Sequence, residues 1–279
     1  MFHVVTVHWQ SDAWIEPQLR FLSAHFPPDT RVYASLEGID ERHDARFHHV
    51  SRSDATHAQK LNALAAVVAE QADPGDHLVF LDGDAFPIAP ITPALLGGAP
   101  LAAVRRDENL GDRQPHPCFC VTTVGFWTEI GGDWSGGHRW ENSLGESVTD
   151  VGGNLLGILA ERGVEWRPLL RSNRTDLHPL WFAVYGDVVY HHGAGFREMR
   201  LARLDGLTAN INPYYALARS RIPPRVPVLA KAERTWRRRR AASRRARWVA
   251  SEGAAQSALA REIYEQLLTD DEFFRRFTD

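Results

Sequence analysis

Two carboxylates, Asp82 and Asp84, stand one glycine apart at the end of a short apolar run, Leu78 to Leu81. An unbroken apolar run bounded by turn residues reads as a buried strand of a parallel sheet. Asp73-Pro-Gly-Asp76 supplies the turn before it. Strand side chains two apart share a side, and Gly83 leaves room for a bulky ligand against the backbone. Ligands of open α/β sheets bind beyond the carboxyl ends of the strands. Two acids at that place suit a hard divalent cation, which takes oxygen ligands and bridges phosphates. Asp-Gly-Asp is also good turn chemistry; its position after a buried strand favours the ligand-binding reading.

The elements that must position this pair follow along the chain. Phe2–Trp9 reads as the first strand, with Thr6 and His8 toward its carboxyl end, on the ligand side. Asp12 is placed to cap a helix that runs to about His25 and contains Pro17. Arg31–Leu36 and Arg46–Val50 read as strands. Ser53 or Asp54 opens a helix through Ala72, with Leu61, Leu64, Ala65 and Val68 on one face. The strand ending in Asp82 comes next. Strand and helix alternating in this way predict a parallel α/β sheet.

Further strands are expected at Leu101–Arg106, Cys118–Val124, Glu165–Leu170 and Asp187–Tyr190. A short helix is expected at 125–130, and a helix at Asp150–Arg162 capped by Asp150. Between them, 133–149 has the composition of a binding loop. After about Asn212 the character changes. Pro223-Pro224 and Pro227 suggest a stiff linker, Arg234–Trp248 a basic helix, Ala254–Leu268 an amphipathic one, and Asp270–Phe277 a short capped helix. The expected division is therefore a sheet domain over 1–215 and a linker with a helical basic tail over 216–279.

Composition is that of an ordinary globular protein, 44% hydrophobic and 24% charged over 279 residues. No apolar run of about eighteen residues occurs, so no membrane-spanning helix is expected. The first residues, Met-Phe-His-Val-Val-Thr-Val, lack the pattern of a secretory signal. Cys118 and Cys120, one residue apart on a strand, do not suit a bridge. With His116 they also miss the spacings of structural zinc sites. A reducing, cytoplasmic setting fits this usage. Residues 219–249 hold twelve Lys or Arg against one acid, Glu233, so the rest of the chain is acidic.

Asp82-Gly-Asp84 as a DXD motif, with His192-Gly-Ala-Gly195 as a late His-x-x-Gly motif, resembles GT-A-type glycosyltransferases that use a nucleotide-sugar donor. The order of landmarks over 1–215 is similar to metal-dependent families of the glycogenin and galactosyltransferase type. The resemblance implies a GT-A-like, mostly parallel twisted sheet flanked by helices, with the helical basic extension outside it. It also implies a Mn2+ or Mg2+ cofactor, a nucleoside diphosphate sugar donor (UDP-linked) and a hydroxyl-bearing acceptor: saccharide, small molecule or lipid-linked. Asn62 lies in the helix before the motif, where such enzymes contact the nucleotide. The Lys-Pro-Trp that follows the late motif in the family is replaced here by Phe196-Arg197. Asp150-Val-Gly-Gly-Asn154 keeps only the first acid of the acceptor-site motif.

The implied chemistry is coherent in its own terms. A glycosyl donor leaves a diphosphate whose growing charge a metal ion stabilises. Asp82 and Asp84 would hold that ion, and Asp82 could instead reach the ribose. A neutral imidazole completes an oxygen-rich site. His191 and His192 are adjacent in an extended stretch, so only one faces the metal; the motif spacing selects His192. Lys60 and Arg197 are candidates for the diphosphate or solvated cations, and Thr6 and His8 for the base or ribose. Asp150 is a base for the acceptor hydroxyl or an N-cap. Trp134, His138 and Trp140 form an acceptor platform or pin their loop to the core. The basic run 234–248, flanked by Trp236 and Trp248, reads as a solvated helix or as a contact for anionic membrane. Nucleic acid is not expected, because the acidic remainder would repel it. Two rival readings remain: an aspartate-nucleophile phosphatase, which lacks its threonine where Phe86 stands, and a non-catalytic protein that binds a polyanion through its tail.

Overall fold

A computed structural model describes residues 1–109, 111–142, 147–174, 182–193 and 227–278. Its strands are β1 (Phe2–Trp9), β2 (Arg31–Glu37), β3 (His49–Ser51), β4 (His77–Asp82), β5 (Ala85–Pro87), β6 (Leu101–Val104), β7 (His116–Thr123), β8 (Trp140–Glu141), β9 (Ser147–Val148), β10 (Arg167–Leu169), β11 (Ala183–Tyr185) and β12 (Val189–His191). Its α-helices are α1 (Ile15–His25), α2 (His57–Gln71), α3 (Val124–Ile130), α4 (Gly153–Glu161), α5 (Pro227–Thr269) and α6 (Arg275–Thr278). Single 3-10 turns lie at Glu41–Arg46 and Pro93–Leu96.

The expected mostly parallel sheet forms. Seven strands run in the order β10-β6-β7-β4-β1-β2-β3, and only β7 is antiparallel to its neighbours. From β1 the chain steps outward to β2 and β3, then crosses back through α2 to place β4 on the other side of β1. The strand order reverses between β1 and β4, which is where an open α/β sheet forms a crevice for ligands. Val7 pairs with Asp82 across that boundary, so the first carboxylate sits at the crevice itself. A second sheet, β11-β12-β5, is antiparallel and starts three residues beyond Asp82.

Alternation along the central strands sorts the core into two layers. Val5, Val7, Leu78 and Phe80 face α2, α3 and α4 and pack with Leu61, Leu64, Ala65, Val68, Trp127 and Leu155. Phe2, Val4, Val79 and Leu81 face α1 and pack with Leu22 and Phe26. Asp82 continues the Leu78–Phe80 face toward α2, whereas Thr6 and His8 continue the Val4 face toward α1.

Several boundaries differ from expectation, each for a local reason. The helix after β3 is capped by Thr56, not Ser53 or Asp54. Thr56 Oγ1 accepts from Gln59 N and Gln59 Oε1 accepts from Thr56 N, a complete capping box. Asp12 does not cap α1; it pairs with Arg42 and His43, and Pro17 sits harmlessly in the helix's first turn. The expected cap at Asp150 is displaced to Gly152, whose φ of +89° suits glycine and whose absent Cβ would strike the Pro115 carbonyl. In the tail, the two expected helices are one helix of 43 residues, α5, which Pro227 opens.

The chain divides into two units, residues 1–196 with 267–279, and residues 197–266. The closing residues thus belong with the sheet. Among the described residues no helix is long and apolar enough to cross a membrane.

Candidate metal centre

Asp82, Asp84 and His191 converge: each offers a ligand atom within 4.8 Å of the others. His191 Nε2 lies 3.5 Å from Asp84 Oδ1 and 3.8 Å from Asp82 Oδ2. In an octahedral shell of about 2.1 Å radius, neighbouring ligand atoms stand about 3 Å apart and opposed ones about 4.2 Å. Both separations from the imidazole fall between those values, and the ligand atoms of the two acids lie within 4.8 Å of each other, so the three groups suit one ion after adjustment. Two carboxylates and an imidazole are also the donor set that Mn2+ accepts readily and Mg2+ tolerates.

The histidine expected at this centre was His192, and here the structure differs. β12 extends one residue further than expected, and its antiparallel pairing with β5 sets His191 opposite Ala85 and Tyr190 opposite Phe86. Neighbouring strand residues face opposite sides. His191 therefore turns to the acids, and His192 turns away with Tyr190. Its Nδ1 is 3.0 Å from the Tyr190 hydroxyl, and its ring rests against Trp14 and Phe182.

Two further histidines complete the surroundings, and the sequence reading had assigned neither a role here. His57 is the first residue of α2, and its Nε2 is 3.2 Å from Asp82 Oδ1. Burial works against its positive charge, but the charge of Asp82, with Asp84 behind it, raises its pKa above the ordinary value. The Thr56-x-x-Gln59 capping pattern would have located this residue, because it fixes where the helix begins. His116 lies near His191, with ring centroids 6.1 Å apart and the rings tilted by 48°. Burial and the neighbouring Arg106 push its pKa well down. Cys118 N donates to its Nδ1, so the proton of the neutral ring sits on Nε2.

The backbone carrying the acids is held by Gln18 of α1, which is fully buried. Its amide nitrogen donates to the Asp82 carbonyl at 2.8 Å and the Ala85 carbonyl at 3.2 Å. Its Oε1 accepts from Thr6 Oγ1 and His8 Nε2, both at 3.0 Å. One side chain therefore grips both ends of the turn that contains Gly83 and Asp84. This tertiary bond set also occupies Thr6 and His8, the residues expected to touch base or ribose. Both lie buried on the α1 face rather than at the crevice.

The other expected site residues are placed as follows. Lys60 is buried and ion-paired with Glu37 at the end of β2. Asn62 ties down the loop after α3, donating to Asp133 Oδ1 at 2.6 Å and accepting from Trp134 N at 3.0 Å. Trp134 is buried against Phe80 and Trp127, so it pins that loop and offers no platform; Trp140 is buried too. Asp150 is exposed and accepts from Val151 N, and its charge reaches Arg106 and Asp112. Arg197 lies outside the described residues. Both cysteines are buried free thiols, and burial raises the pKa of each.

Two measurements test this geometry. Gln18→Leu strips the turn of its clamp and removes the hydrogen bonds to the Asp82 and Ala85 carbonyls, to Thr6 Oγ1 and to His8 Nε2. A loss of about 3 kcal/mol is expected in urea unfolding. The nearly isosteric Gln18→Glu is expected to be as damaging, because it sets a carboxylate oxygen against those carbonyls; a loss under about 1 kcal/mol for both variants contradicts the clamp. The second concerns pH. Burial lowers the pKa of His8 and of His192 from 6.5 to about 4. The unfolded chain takes up those protons near pH 6.5, the folded chain only near pH 4. Stability is thus full above pH 6.5 and falls as pH drops toward 4, on the order of 3 kcal/mol per histidine. Unfolding midpoints that stay level between pH 7 and 4.5 contradict this.

No protein-family model matches the chain, and no curated protein matches it. Among solved structures the chain is similar to the apo-form glycosyltransferase GlyE of Streptococcus pneumoniae TIGR4, at 15% identity and a TM-score of 0.37, over 60% of this chain and 44% of that one. A second GlyE structure gives 14% identity and a TM-score of 0.33, over 46% of this chain and 36% of that one. The galactosyltransferase LgtC, in complex with donor and acceptor sugar analogs, gives 14% identity and a TM-score of 0.31, over 46% of this chain and 59% of that one. The chain spans less than two thirds of each of these structures. Similarity at this level does not carry a function across, so the functional reading rests on the residues themselves.

Proposed function

We propose that this chain is a glycosyltransferase. It moves a sugar from a nucleoside diphosphate sugar, UDP-linked, to an acceptor hydroxyl, and Asp82, Asp84 and His191 hold a Mn2+ or Mg2+ ion for the reaction. The observation that carries this reading is the convergence of two acids and one imidazole at the point where the strand order reverses. When bound, the ion would supply Lewis-acid stabilisation to the departing diphosphate.

The chain's own residues do the rest. Gln18 and the β5–β12 pairing keep the acids aimed outward into the crevice. His57 stands beside Asp82, and the two acids raise its pKa above the ordinary value, so it is proposed as a contact for the phosphates. Lys60 stays with Glu37 and is not assigned to the diphosphate. Arg197 follows shortly after His191 in sequence and keeps its assignment as a diphosphate contact. Asp150 keeps its assignment as the base for the acceptor hydroxyl; its carboxylate is exposed. The basic run of α5 is proposed to lie against anionic membrane. Trp236, Leu229 and Val228 are exposed along this helix, as an interfacial helix requires.

A thermal-shift series tests the central reading. UDP is expected to raise the melting temperature only when Mn2+ or Mg2+ is present, and Asp84→Asn to abolish that rise. Asp150→Asn is expected to keep the rise and lose turnover by roughly a hundredfold or more. A shift that ignores metal, or none across a nucleotide panel, counts against the proposal. Separately, the full chain is expected to sediment with phosphatidylserine-containing vesicles, and not with neutral ones, in a salt-sensitive way; equal behaviour with both removes the membrane contact.

A further inference from the structure

The strand that presents His191 has a second face, and the end of the chain covers it. β12 is the middle strand of the small sheet. Tyr190 and His192 point away from the acids, and Tyr190 is completely buried. Phe273 meets the Tyr190 ring edge-on at 5.0 Å, and Phe277 stacks on it at 5.9 Å, nearly parallel. Phe273 also packs edge-on against Phe21 of α1 at 5.7 Å, and Phe21 packs on Phe86 of β5. Both tail phenylalanines are buried.

Polar bonds hold the segment in that place. Arg20 of α1 donates to the carbonyls of Leu267 and Leu268 and pairs with Asp271 at 2.8 Å. Arg174 N donates to the Phe277 carbonyl at 2.7 Å. The covered face connects back to the metal centre by short steps. The Tyr190 hydroxyl meets His192 Nδ1, His192 N donates to the Asp84 carbonyl at 2.9 Å, and Phe86 follows Asp84 by two residues.

We propose that residues 270–278 are a positioning element for the metal centre: by packing Phe273 and Phe277 onto Tyr190, they fix the side to which β12 turns His191. β12 has only three residues, and so short a strand has little ladder of its own to resist twisting. Its direction is set by which face is buried. The sheet body supplies Phe86, Trp14, Phe21 and Phe182 on that face, and residues 270–278 supply Phe273 and Phe277. Removing them would open the Tyr190 face to water and loosen both His191 and the backbone of Asp84. The role assigned to His191 rests on the glycosyltransferase reading; the hold on β12 does not.

The test uses the full chain, its Phe277→Ala and Phe277→Leu variants, and Tyr190→Phe. Two quantities are read: amide hydrogen exchange in peptides covering β5 and β12, and Mn2+ affinity by electron paramagnetic resonance. Phe277→Ala is expected to speed exchange in those peptides at least tenfold while β1 and β2 stay as in the parent. It is also expected to weaken Mn2+ binding about tenfold, with Phe277→Leu recovering most of both. Tyr190→Phe keeps the stacked ring and loses the hydroxyl, so it is expected to sit between parent and Phe277→Ala. Unchanged exchange in β5 and β12 overturns the proposal. Faster exchange with unchanged Mn2+ affinity also overturns it, since the segment is then only a cover. If the parent binds no Mn2+, the glycosyltransferase reading fails, and the exchange data, which need no metal, still decide whether the tail holds the strand.

Discussion

Two carboxylates set close together in a mostly dry crevice repel one another, and this repulsion is the constraint around which the site is built. Asp84 is buried and Asp82 nearly so, with their ligand atoms within 4.8 Å. At that range two like charges cost roughly 3–4 kcal/mol even at an effective dielectric near 20. The chain offsets part of this with an imidazole. His57 leans on Asp82 from the start of α2 and is held more basic than usual by the two acids, and His191 approaches from β12. A divalent cation would offset the remainder. Holding such a pair apart from solvent needs a rigid frame, and Gln18 supplies it from α1 with four hydrogen bonds to β1 and the acidic turn.

The two sheets divide the labour. The parallel sheet brings Asp82 to the place where the chain's path reverses, by a run of apolar residues that belong on the inside. The small antiparallel sheet begins with Ala85, directly after the acids, and ends with His191, so it folds the late histidine back onto the early carboxylates. The two halves of the centre are over a hundred residues apart in sequence, yet adjacent across one ladder.

Much of this was legible before any coordinates. The buried strand into Asp82, the apolar face of α2 and the alternating α/β plan are all local patterns, and they form as expected. What was not legible is tertiary. Whether His191 or His192 faces the acids depends on the register of β12 against β5; the motif spacing pointed to His192, and His191 is the one that lies beside them. Thr6 and His8 do share a face, but nothing in β1 announces that a glutamine nine residues beyond the strand will occupy both. Lys60 and Asn62 lie on the expected helix and are bound to Glu37 and to the Asp133 loop, partners that sequence distance conceals. The Thr56–Gln59 box is the exception: it was local and readable, and it would have placed His57 at the first position of α2.

The account stands on a cation held by two acids of β4's end and the histidine of β12. Crystals soaked with Mn2+ and UDP, recorded at a wavelength where manganese scatters anomalously, test it directly. The expected result is one anomalous peak about 2.2 Å from oxygens of Asp82 and Asp84 and from His191 Nε2, with diphosphate oxygens completing its shell. A bound nucleotide with no peak there, or a peak coordinated by His192, contradicts the account.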